Sequence, residues 1–508
     1  MEKKAVVIGS GIGGLSCAAY LAHAGCRVQL FEAQTDPGGK ARVIRAAGYR
    51  FDTGPSIFTM QHVFAAIFAE LDAELNEYLH PIRLNPAFSY WWRDGTKMEV
   101  APGAAGLLTA AEALGVPRME TASYIDSCRQ IYDTTNELFL WHSLHDPPTF
   151  FSAAFRRSLR RIGNLRPFTT MHKLNARFFT DASMQQFADR YATYNGSSPF
   201  LAPATLNIIS YIENVQGAMG LKGGMYSIVK AFEALAVKHG AEIRCGTPVQ
   251  RIEAAARRRS LLSNARQEKV TAVYAGDQRY AADIVVTNSD VERTYRHLLN
   301  DPAAPELRRY MQQEPSSSVV VWYLGVGRKF PQLGVNNIFF SDDYESEFAQ
   351  IFAQSSVPAD PTLYINITSK ITPEDAPPHG ENWFVLVNTP PDTGQDWDTI
   401  ARQVYRLIIQ RMSRQLKTDL EPLIEYAEVL TPRDLFTRTG SRQGSIYGIS
   451  SNSRTAAFLR HANRSKRYRG LYFCGGSVHP GGGMPMVALS GRLAALLALR
   501  DAGIQLRR

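Results

Sequence analysis

The chain has 508 residues, 45% of them hydrophobic and 20% charged, with a net charge of +9 at pH 7. This length exceeds what one hydrophobic core supports, so we expect two or three folded domains rather than a disordered chain. The positive charge allows nucleic acid or anionic lipid as a partner, but no nucleic-acid-binding motif accompanies it, and we predict no nucleic-acid partner. No apolar run approaches the roughly 20 residues of a membrane-spanning helix.

The first predicted elements are a strand at 5–8, a helix to about His23 and a strand at 28–31 that leads into Glu32 and Ala33. Between the first strand and the helix, Gly9, Gly11 and Gly14 form a G-x-G-x-x-G pattern. The three glycines allow a tight turn, the approach of a pyrophosphate and close packing of the helix on the strand. The helix N-terminus stabilises phosphate, and the acid accepts hydrogen bonds from a ribose. This order predicts a Rossmann-like dinucleotide site; the alternative is an ordinary glycine-rich turn. The predicted binding run is Gly9, Ser10, Gly11, Ile12, Gly13 and Gly14.

Two short motifs follow this unit. Gly39, Lys40 and Ala41 form a turn in which the backbone can run close to a cofactor and the lysine can offset phosphate charge. A plain loop with solvated bases is the alternative. The second motif is Gly54, Pro55 and Ser56.

The pattern is mainly helical from 106 to 194. An arginine cluster in this region is interleaved with aromatic residues such as Phe151 and Phe168. This mixture suits a membrane interface with anionic lipid; a solvated helix face is the alternative. A strand is expected at 207–213. The arginines are Arg156, Arg157, Arg160 and Arg161.

The α/β character returns near residue 220. A helix to about His239 and strands at 242–245, 270–274 and 284–287 are expected, and Arg257 to Arg259 are predicted to tip a hairpin loop. A separate block carries strands at 319–324, 364–367 and 383–387, with an amphipathic helix over 396–416. We therefore expect a nucleotide-binding domain built from 1–75, 220–298 and 438–508, and a substrate-binding α+β domain built from 76–219 and 299–437. Substrate would bind between them.

The C-terminal glycine run predicts the chemistry of the cofactor. A strand at 471–474 ends in Gly475 and Gly476, and a helix begins near Met484, Pro485 and Met486. Pro485 suits a first helical turn, whose free N–H groups and dipole stabilise negative charge. A reduced flavin carries such charge, so this helix would favour hydride acceptance by a flavin.

Catalytic residues cannot be chosen from the pattern. His479 is a weak candidate, and a packing role for it is favoured. The five cysteines and eleven histidines show no metal-ligand spacing, so we predict no metal. The cysteines are expected to be reduced thiols in a cytoplasmic setting.

Together these motifs resemble the bacterial carotenoid (phytoene) desaturase family within the flavin-dependent amine oxidase-like superfamily. Its members also carry F-D-x-G-P-S, G-G-M, V-x-x-I near the adenine and H-P-G-x-G-x-P motifs. Residues 190–205 and 484–492 are similar to hydroxycarotenoid 3,4-desaturases in particular. The corresponding positions here are Phe51 to Ser56, Gly223 to Met225, Val249 to Ile252 and His479 to Pro485.

The resemblance implies non-covalent FAD and hydride abstraction from a linear carotenoid, with 3,4-desaturation of a 1-hydroxycarotenoid as the favoured reaction. Phytoene desaturation, and carotenoid isomerisation, saturation or oxidation on the same scaffold, are alternatives. A lipid-binding protein similar to GDP-dissociation inhibitors is the non-enzymatic alternative. The resemblance further implies a quinone or oxygen as electron acceptor and peripheral attachment to the inner face of the cell membrane. A carboxylate or an aromatic face would stabilise the substrate cation.

Overall fold

The computed structural model describes residues 2–256, 268–453 and 460–506. The predicted hairpin tip at Arg257 to Arg259 lies outside these ranges. Two large sheets organise the described chain, one parallel and one mainly antiparallel. The expected combination of a Rossmann-like α/β unit with an α+β unit is confirmed, because both sheets and their covering helices are present.

The parallel sheet has five strands drawn from three separated parts of the chain. All four neighbouring pairs run parallel. Continuous apolar runs such as residues 5–8 are typical of strands buried on both faces. In spatial order the strands are Leu471–Phe473, Ile284–Thr287, Lys4–Ile8, Arg27–Phe31 and Glu242–Arg244.

Three helices cover one side of this sheet: Ile12–His23, Tyr226–Lys238 and Met484–Ala502. The first and last approach very closely, since a Cβ at Gly491 would lie 2.2 Å from the carbonyl oxygen of Gly13. This contact joins the two predicted cofactor-binding helices into one packed unit.

The second large sheet has seven strands. One face packs on the long helix Trp397–Leu416, whose Ile408 and Met412 are fully buried against Trp383. The opposite face, which carries Val321 and Phe384, turns towards the parallel sheet. In spatial order the strands are Ile424–Leu430, Ser318–Val326, Glu381–Thr389, Leu363–Asn366, Asn336–Phe339, Phe88–Trp91 and Lys97–Val100.

The other described strands form one four-stranded sheet and two two-stranded ribbons. Val249–Ala256, Glu268–Ala275 and Gln278–Ala281 form an antiparallel sheet, and Tyr468–Arg469 joins its middle strand. Two-stranded ribbons pair Val43–Ala46 with Tyr49–Asp52, and Pro81–Arg83 with Met219–Leu221.

The predicted helical region is present and packs against the strands Phe88–Trp91 and Asn336–Phe339 of the seven-stranded sheet. The strand expected at 207–213 is wrong, because Ile208–Tyr211 is a helical turn that continues into Ile212–Gln216. Its β-branched residues favour a strand locally, but burial of one helical face overrides that preference. None of the described helices is both long and apolar enough to cross a bilayer. The main helices are Gln61–Ala69, Ala104–Ala113, Arg118–Thr135, Asn136–Leu140, Ala153–Arg160, Met171–Phe178, Ala182–Asp189, Arg190–Asn195, Pro305–Met311, Tyr344–Phe352 and Pro432–Thr439.

Candidate functional site

A cavity of about 690 Å³ lies between the carboxyl ends of the parallel strands and the facing side of the seven-stranded sheet. Ligands bind at this edge of open α/β sheets. Two predicted residues, Ser10 and Gly14, are not among its lining residues. The predicted residues that do line it are Gly9, Gly11, Ile12, Gly13, Glu32, Ala33, Gly39, Lys40, Ala41, Gly54, Pro55, Ser56, Val249, Gly475, Gly476, Met484, Pro485 and Met486.

Ser10 acts on the site through Glu32. Its backbone N–H and its hydroxyl donate to Oε2 of Glu32 over 2.8 and 2.6 Å, and the backbone N–H of Gln34 donates to Oε1 over 2.9 Å. A carboxylate has about four acceptor positions, so three donors leave room for one more. The carboxylate of Glu32 is therefore held in the cavity wall with capacity for a ribose hydroxyl.

Gly14 shapes the turn. A Cβ at this position would lie 2.0 Å from the carbonyl oxygen of Gly9, so only glycine lets the helix start this close to the strand. Gly9 itself has a φ of +93°, which favours glycine. The glycine run thus provides both the turn and the close packing expected of it.

Two helix N-termini open onto the cavity. Ile12–His23 and Met484–Ala502 begin at Gly11 and Gly483, and neither helix has a capping side chain or an acidic residue in its first turn. Their first-turn N–H groups remain for an external acceptor. The two ends can stabilise separate negative groups, as a dinucleotide with a reducible ring requires.

Lys40 is tethered beside the cavity. Its Nζ donates to the carbonyl oxygens of Ser445 and Ile446 over 2.9 and 2.8 Å. Burial lowers the pKa of Lys40 to about 8, and the nearby carboxylate of Asp290 opposes this shift. Two of the three ammonium hydrogens are thus used, and one is left for an anionic ligand.

Arg460 is a lining residue that the sequence analysis missed. It is 2% exposed, and its guanidinium donates to the carbonyl oxygens of Tyr447, Ile449 and Gly476 over 2.8, 3.1 and 3.2 Å. A further contact reaches Oδ1 of Asn195 over 3.4 Å. Burial lowers the pKa of Arg460 to about 10, so the side chain stays positive at neutral pH.

His479, the weak catalytic candidate, is fully buried and is not among the cavity-lining residues. Its Nε2 donates to the carbonyl oxygen of His142 over 2.9 Å, and burial lowers its pKa to about 3. Its own carbonyl accepts from Asn463 and Ser490 over 2.9 and 2.8 Å. Ser490 also receives the N–H of Gly475 over 3.1 Å, so His479 helps to hold the glycine loop.

Among the described residues, no group of three or more His, Cys, Asp or Glu side chains is arranged to hold a metal ion. The five cysteines form no disulfide, and four of them are buried.

Beyond the glycine loops the cavity wall is largely apolar. Ser56 belongs to this wall, where its hydroxyl lies 2.7 Å from the hydroxyl of Tyr364. Among the described lining residues only Glu32 and Asp290 carry carboxylates. Such a chamber suits a long hydrocarbon. Apolar side chains lining it include Ile57, Leu140, Leu206, Ile209, Ile212, Val319, Val321, Phe384, Leu386 and Leu430.

Comparison with known proteins agrees with this geometry. The chain is 40% identical to a 1-hydroxycarotenoid 3,4-desaturase of a Flavobacterium species, over 97% of this chain and 98% of that protein. It is 33% identical to a 4,4'-diapolycopene oxygenase of a Methylomonas species, over 97% of both. It is 28% identical to a phytoene desaturase of Fusarium fujikuroi, over 99% of this chain and 90% of that protein.

Solved structures share the fold. A putrescine oxidase variant superimposes with a TM-score of 0.62 at 13% identity, covering 99% of both chains. Cyclohexylamine oxidase from Brevibacterium oxydans superimposes with a TM-score of 0.61 at 13% identity, covering 99% of this chain and 100% of that one. Residues 12–499 match the family of flavin containing amine oxidoreductases. The cavity, with its two helix ends and the carboxylate of Glu32 in its wall, fits FAD, and the chain belongs to this family of flavin-containing oxidoreductases.

Proposed function

We propose that this enzyme is a carotenoid desaturase that introduces a conjugated double bond into a linear carotenoid, by 3,4-desaturation of a 1-hydroxycarotenoid. The observation that carries the proposal is the apolar chamber that continues from the glycine loops within one cavity. The 40% identity to a 1-hydroxycarotenoid 3,4-desaturase over nearly the whole chain supports the choice of substrate.

In this proposal the first glycine run and Glu32 hold the adenosine end of FAD, and Lys40 lies near its phosphates. The helix that begins at Met484 stabilises negative charge on the flavin ring. When bound, FAD supplies a two-electron acceptor for a hydride from the polyene. The three sequence segments predicted to form one cofactor domain, 1–75, 220–298 and 438–508, are retained as its proposed boundaries.

The wall of the chamber favours aromatic stabilisation of the substrate. A polyene carbon that loses hydride becomes part of an allylic cation. The two lining carboxylates among the described residues already have partners. Glu32 accepts from Ser10 and Gln34, and Asp290 accepts the backbone N–H of Glu292 and the hydroxyl of Tyr310. Aromatic faces attract cations, so the rings that line the chamber take this role. They are Phe139, Tyr194, Tyr344, Tyr364, Phe384 and Tyr447.

Pigment analysis tests the reaction. A host that accumulates a linear 1-hydroxycarotenoid should form a product with one more conjugated double bond when it expresses this chain, and its visible absorption should shift to longer wavelength. The Glu32→Ala variant serves as a matched control with impaired cofactor binding. A product of unchanged hydrogen content would indicate an isomerase, and one with added oxygen an oxygenase; either would overturn the desaturase proposal.

We further propose attachment to an anionic membrane through a surface that we call the aromatic–arginine surface: Phe150, Phe151, Arg156, Arg157, Leu159, Arg160, Arg161, Ile162 and Phe168. Phe151 and Phe168 are 80% and 78% exposed, and all four arginines are exposed. Arg157 pairs with Glu137, one turn before Leu140, which lines the cavity. A substrate dissolved in lipid would thus enter the cavity next to the aromatic–arginine surface. We propose that this surface binds the inner face of the cell membrane.

Removing two of these charges should weaken vesicle binding. The Arg156→Ala, Arg160→Ala double variant is expected to bind phosphatidylglycerol-containing vesicles about 30-fold more weakly, since each basic residue contributes roughly 1 kcal/mol. Vesicle co-sedimentation measures this. The control is Arg308→Ala with Arg309→Ala, which removes the same charge from another exposed helix end. Equal binding by both double variants would contradict this docking surface.

The electron acceptor is proposed to be a quinone or oxygen. A membrane quinone shares the lipid location of the substrate, and oxygen diffuses through apolar cavities. Reoxidation of the reduced holoenzyme by a soluble quinone under argon, compared with reoxidation by air, separates the two.

A further inference from the structure

One tyrosine of the chamber wall lies directly on the loop of residues 475–483, which we call the flavin-side loop. Tyr447 lines the cavity, and a Cβ at Gly482 would lie 2.5 Å from Cδ1 of Tyr447. The next residue, Gly448, approaches the same loop, since a Cβ there would lie 2.8 Å from Cα of Ser477. The ring of Tyr447 is therefore in contact with the loop that leads into the helix proposed to stabilise the flavin ring.

The main chain of Tyr447 is fixed on both sides. Its backbone N–H donates to Oγ of Ser316 over 3.0 Å, and its carbonyl oxygen accepts from Arg460 over 2.8 Å. Arg460 also donates to the carbonyl oxygen of Gly476 in the flavin-side loop over 3.2 Å. A side chain on a backbone held in this way loses little conformational entropy when it binds a ligand.

The hydroxyl of Tyr447 has no hydrogen-bond partner in the part of the chain that the structure describes. Tyr447 is half-buried, and its hydroxyl is not one of the unpaired polar atoms that are shut off from solvent. The residue lies deep enough for burial to raise its pKa to about 12, so its accessible surface is that of the cavity. The hydroxyl is thus both unpaired and within reach of a molecule in the chamber.

The other tyrosine hydroxyls of the chamber wall differ from this one. Those of Tyr194 and Tyr364 are already bonded to other side chains. Tyr344 packs against Phe340, beside a strand of the seven-stranded sheet. The hydroxyl of Tyr447 combines an open hydrogen-bonding position with contact to the flavin-side loop.

The proposed reaction brings the alcohol of the substrate close to the flavin. In a 1-hydroxycarotenoid, three or four single bonds of about 1.5 Å each separate the oxygen from C3 or C4. Hydride transfer needs the reacting atoms about 3–3.5 Å apart. The alcohol must accordingly lie within roughly 10 Å of the atom that accepts the hydride. A phenolic hydroxyl both donates and accepts, so it can pair with an alcohol there.

We infer that Tyr447 is a specificity-determining residue whose hydroxyl forms a hydrogen bond with the alcohol at C1 of the polyene. This inference rests on the proposed function and adds the group that distinguishes a hydroxylated end from a hydrocarbon end. A carotene in the same position leaves the phenol without a partner in an apolar wall, which weakens its binding.

Two substrates test the inference on the unmodified holoenzyme: a linear 1-hydroxycarotenoid and its parent carotene. We expect kcat/KM for the hydroxylated substrate to be about tenfold higher, because the carotene forgoes one hydrogen bond and leaves the phenol unpaired. Equal conversion of both substrates would overturn the inference while leaving the desaturase proposal intact. Failure of both to gain a double bond would overturn the proposed function itself.

The Tyr447→Phe variant assigns the preference to one hydroxyl. It keeps the aromatic ring, so conversion of the carotene should not fall, whereas kcat/KM for the hydroxylated substrate should fall about tenfold and the preference should approach unity. Because the hydroxyl has no partner within the described chain, the FAD content and the midpoint of denaturant unfolding should be unchanged. A retained preference, equal losses on both substrates or a lower unfolding midpoint would each overturn the inference, the last two by giving the hydroxyl a structural role.

Tyr405→Phe is the matched control. It removes a tyrosine hydroxyl from the helix Trp397–Leu416, where Tyr405 donates to Glu421 at the surface and does not line the cavity. This variant should prefer the hydroxylated substrate as strongly as the unmodified enzyme does. A similar loss of preference in Tyr405→Phe would show that the effect is not specific to Tyr447 and would contradict the inference.

Discussion

Replacing Glu32 by alanine is expected to weaken FAD binding about 100-fold, because we propose that this carboxylate binds the adenosine ribose. The estimate follows from losing hydrogen bonds to a charged acceptor, each of which contributes roughly 1.5–3 kcal/mol. The change also releases the N–H and hydroxyl of Ser10, which both donate to this carboxylate. Titration of the apoprotein with FAD, followed by flavin fluorescence, measures the dissociation constant.

Glu242→Ala provides the control for this experiment. Glu242 lies on the strand next to the one that leads into Glu32, and its partners Gln29 and Arg244 are at the surface. Exposed pairs contribute at most about 1 kcal/mol, so FAD affinity should be unchanged in this variant. If Glu32→Ala binds FAD as the unmodified chain does, the carboxylate does not hold the ribose and the first glycine run must be reassigned.

The parts of the site that the sequence predicts are those formed by residues a few positions apart. Gly9 to Gly14 specify a turn through positive φ and close packing, and both properties depend on the residue type alone. Glu32 follows because a strand of known direction places its last residue at a known sheet edge. The same holds for Pro485, whose missing N–H suits a first helical turn.

The parts that the sequence does not predict depend on contacts between distant segments. Arg460 stands in a basic stretch, and nothing local separates it from exposed arginines such as Arg469. Its role arises only when residues 195, 447–449 and 476 converge around it. The strand predicted at 207–213 is wrong for the same reason, since the face that the helix at 208–216 buries is set by its packing partners and not by its β-branched residues.

Replacing Arg460 by methionine is expected to lower the free energy of unfolding by about 3 to 5 kcal/mol and to release FAD. Methionine has a long apolar side chain like the stem of arginine, but it has no N–H donor. The carbonyls of Tyr447, Ile449 and Gly476 therefore lose their shared donor, and each unsatisfied buried carbonyl costs roughly 1–3 kcal/mol. Denaturant unfolding measures the stability, and the bound flavin absorbance measures the cofactor content.

Two further variants separate the charge of Arg460 from its hydrogen bonds. Arg460→Lys keeps the positive charge but offers a compact ammonium in place of the planar guanidinium. Compared with Arg460→Met, this variant should return the flavin reduction potential closer to that of the unmodified chain than it returns the free energy of unfolding. Arg469→Met removes an exposed arginine and should change neither quantity. A positive charge beside Gly476, which we propose to lie close to the flavin ring, favours the reduced, negatively charged cofactor. The potential should therefore fall in Arg460→Met wherever enough FAD is retained to measure it. An unchanged potential in that variant would limit Arg460 to holding the loops together.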